Sequence, residues 1–258
     1  MNALEAQDLT IRFGGLTAVS NLSFTLAPGE IMGLIGPNGS GKTTVFNMIS
    51  GFYTPTAGQI RFEGHPIAAR RPDQITAMGI ARIFQANRLF RDQTVLDNVL
   101  IGHHLRLRSN PLSAILRLPR YSRQAAEAHA KSMWLLENLG LAQFAQEQAG
   151  SLPHGMQRKL EVARALATEP RLLLLDEPAA GLSHEEVSDM MEFVLKIRAD
   201  FRLTLLLVEH DMRVVMTICP RILVLNHGQK IAEGSPEQIA SDPVVIRAYL
   251  GEADDAAD

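Results

Sequence analysis

A glycine-rich segment that follows a short apolar strand constrains the fold of this chain more than any other feature. The segment reads IMGLIGPNGSGKTT, and residues 36–43 match the pattern Gly-x-x-x-x-Gly-Lys-Thr. The glycines let backbone N–H groups turn inward around phosphate oxygens, and the helix that follows points its positive end at them. Because a strand precedes the pattern and a helix follows it, we predict a nucleotide phosphate site rather than a glycine-rich turn without a ligand.

This phosphate loop gives specific roles to two side chains. Lys42 can reach the β- and γ-phosphates of a nucleoside triphosphate, and the Thr43 hydroxyl can coordinate Mg²⁺. The predicted nucleotide-binding residues of the loop are Gly36, Pro37, Asn38, Gly39, Ser40, Gly41, Lys42, Thr43 and Thr44.

Two carboxylates end a later apolar run, LLLLDEP. Asp176 would hold Mg²⁺ from the far side of the phosphates, and Glu177 would face the γ-phosphate and polarise an attacking water. The alternative is a strand-terminating turn without chemistry. This alternative is disfavoured because a phosphate loop occurs earlier in the same chain.

The positions of three further residues make them candidates for the nucleotide site. The strand in LTLLLVEHDM ends just before His210, and a neighbouring parallel strand would bring this side chain to the phosphate, where it donates a hydrogen bond. Gln85 ends the apolar run ARIF and would bridge metal or water. Phe13 ends the first strand, where we expect it to stack on a purine, with core packing as the alternative. The predicted catalytic residues are thus Lys42, Gln85, Glu177 and His210, and the predicted metal ligands are Thr43, Gln85 and Asp176.

The order of the apolar segments predicts the fold class. The first two strands alternate apolar and polar residues, as half-exposed antiparallel strands do, whereas LLLL and LTLLLV are continuous, as strands covered on both faces are. We therefore expect an α/β fold with a mainly parallel core sheet and an antiparallel layer near the N-terminus. We predict one domain, 4–253, with its core at 4–88 and 157–250, an inserted helical subdomain at 89–156 and a disordered acidic tail at 252–258.

Composition and charge disfavour several other classes. The 258 residues are 46% hydrophobic, which is enough for one large domain. The formal net charge of -3 argues against a nucleic-acid partner, because such proteins are more often strongly basic. One cysteine rules out an internal disulfide. No apolar run approaches the ~18 residues of a membrane span and no signal peptide begins the chain, so we expect it to be soluble or to meet a membrane through partners.

In their order along the chain, these features resemble one family, the ATP-binding cassette (ABC) ATPases. The resemblance covers about residues 4–250 and includes Phe13, the phosphate loop, Gln85, the helical insert, the Asp-Glu pair and His210. A phosphate loop alone is shared by many NTPases, whereas the ordered set is specific. The resemblance implies a P-loop NTPase fold of the ABC type, with ATP and Mg²⁺ as cofactors.

The segment where this family carries its signature, L-S-G-G-Q, departs from the pattern. It consists of Leu152, Pro153, His154, Gly155 and Met156, so proline replaces the serine and methionine replaces the glutamine. Backbone N–H groups around the remaining glycine and the helix dipole can still attract phosphate. In this family the signature of one cassette faces the ATP that another cassette holds. The resemblance therefore implies a head-to-tail dimer with a second ABC ATPase subunit, whose two ATP sites differ.

Longer segments of the sequence resemble one type of ABC ATPase in particular. ARIFQANRLFRDQTVLDNVLIGHH, LLLLDEPAAGLSHEE and GSPEQIASDPVVIRAYLGE are similar to the LivG-type ATPases of bacterial branched-chain amino acid importers. This likeness implies a LivF-type sister ATPase, two transmembrane permease subunits and, indirectly, a periplasmic binding protein. It also implies a peripheral position on the cytoplasmic face of the bacterial inner membrane. Residues 102–124 contain five arginines and no acid, and we expect them to face the permeases or anionic lipid headgroups, with a solvated surface as the alternative.

Alternative functions stay open at this point. ATPases of related importers, for urea, short-chain amides or other amino acids, would show nearly the same motifs. A lipopolysaccharide-export ATPase is the next neighbour, and the altered signature and the VIRAYLGE end argue against it. Cassettes that act on ribosomes or DNA usually carry two cassettes or long coiled coils, which this chain lacks. A regulatory module without turnover is disfavoured by the intact Lys42, Glu177 and His210.

Overall fold

The computed structural model of the protein describes residues 1–84, 89–103 and 119–254, with the side chains of 119–121 and 250–254 excepted. The strands in this part of the chain are β1 Leu4–Phe13, β2 Leu16–Leu26, β3 Ile31–Ile35, β4 Ala57–Phe62, β5 His65–Pro66, β6 Ile80–Ile83, β7 Leu172–Asp176, β8 Thr204–Val208, β9 Arg221–Asn226 and β10 Gln229–Gly234. The α-helices are α1 Lys42–Ile49, α2 Pro72–Met78, α3 Val95–Gly102, α4 Pro119–Asn138, α5 His154–Leu166, α6 His184–Phe201, α7 Met212–Ile218, α8 Pro236–Ser241 and α9 Pro243–Asp254.

The strands form two sheets. The larger sheet has the order β10-β9-β3-β8-β7-β6, and its neighbouring strands are parallel except for β10 with β9. The smaller sheet, β2-β1-β4-β5, is antiparallel throughout. This arrangement confirms the predicted α/β fold, with a mainly parallel core sheet and an antiparallel layer built by the N-terminal strands.

The parallel sheet is covered on both faces, as its continuous apolar runs predict. Leu172 and Leu174 of β7 pack towards the antiparallel sheet and α1, whereas Leu173 and Leu175 pack towards α6 and α7. Every residue of β3, β7 and β8 is buried. Apolar burial stabilises a fold by roughly 25 cal/mol per Å², so these three strands are held firmly side by side. Their parallel directions place their carboxyl ends at one edge of the sheet.

Three strands are not evident from the sequence. β5 has two residues, and β6 has four. β10 forms an edge of the larger sheet, and none of its six residues is fully buried, so QKIAEG shows no apolar alternation. β10 is placed by its pairing with β9 and by contacts with β2, and neither is visible in a local pattern.

The helical part of the chain packs as a group formed by α3, α4 and α5. Helix α5 begins at His154, so the predicted boundary between subdomain and core at 156/157 falls inside its first turn. Most of the arginine-rich segment, residues 104–118, lies outside the described residues, as do 255–258. Helix α9 includes the first three residues of the predicted acidic tail. Within the described ranges, no helix has both the length and the apolarity that a membrane crossing requires.

Candidate nucleotide-binding site

The phosphate loop is a tight turn between β3 and α1. Gly36 has a φ of +149°, and a Cβ at this position would lie 2.0 Å from the Leu225 carbonyl oxygen, so no larger residue fits. Gly41, with a φ of +105°, is the residue directly before α1. The buried Lys42 donates from Nζ to the carbonyl oxygens of Gly36 at 2.6 Å and Pro37 at 2.9 Å. The loop thus curves around the ammonium group and holds its charge within the curve.

A cavity of about 480 Å³ opens over this loop. It is lined by loop residues 38–44, the start of β2, Glu177, His210 and His227. Ser40 is 2% exposed, and its hydroxyl has no hydrogen-bond partner within the described residues. This hydroxyl can donate a hydrogen bond to a phosphate oxygen. The cavity volume falls within the range of small-molecule sites, roughly 300–1,000 Å³.

The ends of β7 and β8 bring Glu177 and His210 into contact. Glu177 Oε1 lies 2.5 Å from His210 Nε2, and the side chains are 12% and 49% exposed respectively. Glu177 has a φ of +51°, a left-handed conformation that few residues other than glycine adopt. The backbone N–H of Glu177 donates to the Val208 carbonyl oxygen at 2.9 Å. This hydrogen bond connects the turn after β7 to the end of β8. Both side chains therefore line the same cavity as Lys42.

A second carboxylate, Glu209, joins these two turns, and sequence reasoning missed its role. Glu209 is 5% exposed and accepts the backbone N–H of Ala179 at 2.8 Å and of His210 at 3.2 Å. Burial raises the pKa of the Glu209 carboxyl, and the two N–H donors oppose this effect. Its place directly before His210 was the available signal, but the sequence does not show which donors it meets.

Asp176 forms a buried ion pair that the sequence did not predict. Arg82 Nη2 donates to Asp176 Oδ2 at 2.7 Å, and the two side chains are 6% and 7% exposed. Arg82 Nη1 also donates to Asn47 Oδ1 at 2.7 Å and to Ser50 Oγ at 3.1 Å. The pair therefore ties β7 to β6 and α1. Asp176 does not line the cavity, whereas Thr43 does, and both supply the oxygen ligands that a hard cation such as Mg²⁺ prefers.

Two other predicted residues, Gln85 and Phe13, are not among the described residues that line this cavity. Gln85 lies outside the described residues. Phe13 does not line the cavity over the loop, and it packs edge-on against Tyr53 with the ring centroids 5.1 Å apart. Because Phe13 is 44% exposed, core packing does not account for it. His227, in the β9–β10 turn, lines the cavity and was not predicted, although the Asn-His-Gly sequence there is typical of a turn.

The altered signature surrounds the start of α5. Its residues are the buried Leu152, the N-cap Pro153, and His154, Gly155 and Met156 in the first helical turn. A Cβ on Gly155 would meet only Glu186 Oε1, at an ordinary distance of 3.5 Å. The packing of the described chain therefore does not require glycine here.

The fold and this site define a nucleotide-binding cassette, and comparisons with known proteins identify its family. The family described as ABC transporter matches residues 19–180, and the family described as branched-chain amino acid ATP-binding cassette transporter matches residues 229–255. The chain belongs to the ABC transporter family. It is an ATP-binding and ATP-hydrolysing subunit, and the relatives that it matches are ATP-binding proteins of transporters.

Individual relatives narrow this assignment. The chain is 47% identical over 250 residues to the high-affinity branched-chain amino acid transport ATP-binding protein LivG of Escherichia coli (strain K12), covering 97% of this chain and 98% of LivG. It is 45% identical over 250 residues, with the same coverage, to the corresponding protein BraF of Pseudomonas aeruginosa. A crystal structure of an ATP-binding cassette of an ABC transporter, in its ADP conformation, matches with a TM-score of 0.84 and 32% identity, covering 97% of this chain and 99% of that one.

Proposed function

We propose that this chain is the ATPase subunit that powers import of branched-chain amino acids through a membrane permease. The observation that carries the proposal is the identity of 45–47% to BraF and LivG over nearly the whole length of each chain. The match at residues 229–255 supports the same class of transporter from a segment that contains none of the predicted nucleotide-site residues.

Within this proposal, ATP binds over the phosphate loop. Lys42, whose Nζ donates to the carbonyl oxygens of Gly36 and Pro37, would donate to the β- and γ-phosphates when ATP is bound. Thr43 and Asp176 would hold Mg²⁺, which supplies positive charge to the phosphates when it is bound. Phe13 is exposed at the end of β1 and would stack on the adenine.

Glu177 is the best candidate to act on the attacking water. Its carboxylate lines the cavity with Lys42, and one of its oxygens is oriented by His210. A well-placed general base contributes typically 10²–10⁴-fold to a rate. His210, half-exposed, would donate a hydrogen bond to the γ-phosphate, and Gln85 would connect the metal or the water to the helical subdomain. Glu209 would keep the turns that carry Glu177 and His210 in place.

A second cassette would complete each ATP site. No steric reason for the glycine at 155 exists among the described residues, which is what a surface closely approached by another molecule would show. We infer that the signature faces the ATP of a LivF-like sister in a head-to-tail dimer. Backbone N–H groups at the start of α5 would meet that phosphate. Pro153 lacks the hydroxyl of the usual serine, so the sister's ATP would be held less tightly.

The remaining partners follow from the same proposal. Two transmembrane permease subunits would dock on the ATPase dimer, and a periplasmic binding protein would deliver the amino acid to them. The chain would lie on the cytoplasmic face of the bacterial inner membrane as a peripheral subunit. The alternative is an ATPase of an importer for urea, short-chain amides or other amino acids. The test must distinguish it from a branched-chain amino acid importer.

The test is substrate-stimulated ATP hydrolysis by the assembled transporter. We would reconstitute this chain with its sister ATPase and permeases and add the cognate binding protein loaded with one ligand at a time. Leucine, isoleucine or valine should raise the ATPase rate, and urea, acetamide and glutamate should not. Stimulation by one of the latter compounds, without stimulation by any branched-chain amino acid, would assign the chain to a different importer.

A further inference from the structure

A second cavity, of about 300 Å³, shares no lining residue with the cavity over the phosphate loop. Trp134 and Leu135 of α4 line it, together with Leu166 at the end of α5 and Phe201 at the end of α6. The two leucines are buried, and Trp134 is 53% exposed. The Trp134 and Phe201 rings meet edge-on, with centroids 5.9 Å apart. The cavity thus has apolar walls and an aromatic side that is open to solvent.

A buried imidazole lines this cavity, and one of its ring nitrogens has no hydrogen-bond partner among the described residues. His103, the C-cap of α3, is 4% exposed, and its Nε2 has no hydrogen-bond partner within the described part of the chain. Burial lowers the pKa of His103, the charge of Lys131 lowers it further, and Glu169 opposes both effects. The ring is therefore neutral at pH 7. Native proteins leave few buried polar atoms without a partner, so this nitrogen can hydrogen-bond to a water or to a ligand that enters the cavity.

One positive and one negative group lie beside the apolar walls. Lys131 Nζ and Glu169 Oε1 are 2.7 Å apart, and both side chains line the cavity while more than half exposed. A zwitterionic head group matches such a pair, because its carboxylate can bind the ammonium and its ammonium can bind the carboxylate. The volume is at the lower end of the small-molecule range, roughly 300–1,000 Å³, and suits a compact ligand rather than a nucleotide.

We propose that this cavity binds a free α-amino acid with an apolar side chain. The side chain would lie against Trp134, Leu166 and Phe201, and the head group would replace the direct contact between Lys131 and Glu169, pairing its carboxylate with the first and its ammonium with the second. The cassette would thus carry an amino-acid sensor apart from its nucleotide site.

The fluorescence of Trp134 tests this proposal directly, because it is the single tryptophan of the 258 residues. The purified full chain would be titrated with L-leucine, with 4-methylpentanoate, which lacks the ammonium, and with 3-methylbutylamine, which lacks the carboxylate. We expect a saturable emission change with leucine and roughly three- to tenfold weaker binding of each analogue. Absence of saturable binding by leucine overturns the proposal. Equal binding of N-acetyl-leucine amide also overturns it and would indicate a partner's apolar side chain as the occupant.

Variants locate the head group. Lys131→Met should weaken leucine binding by a similar factor, because the carboxylate loses its cation. Lys230→Met is the matched control, since Lys230 also pairs with a surface glutamate, Glu233 at 3.0 Å, but lies on β10. Unchanged leucine affinity in folded Lys131→Met would refute the assignment. The analogue series on the unaltered chain decides the question even where a variant does not fold.

Discussion

Replacing Arg82 by methionine should destabilise the fold strongly. The change removes the cation from a pair whose side chains are 6% and 7% exposed, and it leaves the Asp176 carboxylate buried without its guanidinium. Breaking a buried pair of this kind destabilises a protein by about 3–5 kcal/mol. Each kcal/mol lowers the Tm of a chain of this size by about 2–4 °C. We therefore expect the Tm to fall by about 6–20 °C.

Thermal unfolding of the purified full chain, followed by circular dichroism, measures this loss. Arg71→Met is the matched control, because Arg71 pairs with Asp73 at 2.8 Å on the surface, where the side chains are 73% and 52% exposed. This control should leave the Tm essentially unchanged. The double variant Arg82→Met/Asp176→Asn should lose less than Arg82→Met alone, because it no longer buries an unpaired charge.

Two results would refute this reasoning. One is a Tm of Arg82→Met no lower than that of Arg71→Met. The other is a double variant in which the losses of the two single variants simply add, since independent sites behave in that way and contacting ones do not. Either result would mean that the pair does not hold β6, β7 and α1 together.

Three further predictions concern the nucleotide sites. Glu177→Gln should preserve ATP binding and lower the ATPase rate of the assembled transporter ~10²–10⁴-fold, and a wild-type rate would exclude Glu177 as the base. Phe13→Ala should weaken ATP binding by about 0.5–1.5 kcal/mol in a nucleotide titration, and unchanged affinity would mean that another residue stacks on the adenine ring. Pro153→Ser should tighten closure at the sister's site by roughly 1.5–3 kcal/mol, measured in a heterodimer where only that site hydrolyses ATP. An effect confined to the site built on Lys42 would contradict the head-to-tail arrangement.

The sequence predicted those parts of the site that depend on local patterns. The phosphate loop needs glycines at fixed offsets, and buried parallel strands need continuous apolar runs, so both features are evident from neighbouring residues. The edge that brings Glu177 to His210 followed from the parallel direction of their strands. The fold class was predictable for the same reason.

Contacts between distant segments could not be predicted in this way. Arg82 meets Asp176 across 94 residues, and their contact depends on β6 lying beside β7, which no local pattern specifies. Glu209 was visible at the end of β8, but its acceptance of the Ala179 N–H depends on the path of the turn after β7. The predicted subdomain boundary at 156/157 falls inside the first turn of α5, because that turn contains histidine, glycine and methionine rather than an apolar helical pattern.

Leucine uptake by proteoliposomes tests the central claim most directly. The vesicles would contain this chain, its sister ATPase and the two permeases, with ATP inside and the leucine-loaded binding protein outside. We expect ATP-dependent accumulation of labelled leucine with the unaltered chain, and a large loss of accumulation when this chain carries Glu177→Gln. Leucine accumulation that is equal with and without ATP, or unaffected by Glu177→Gln, would contradict the account.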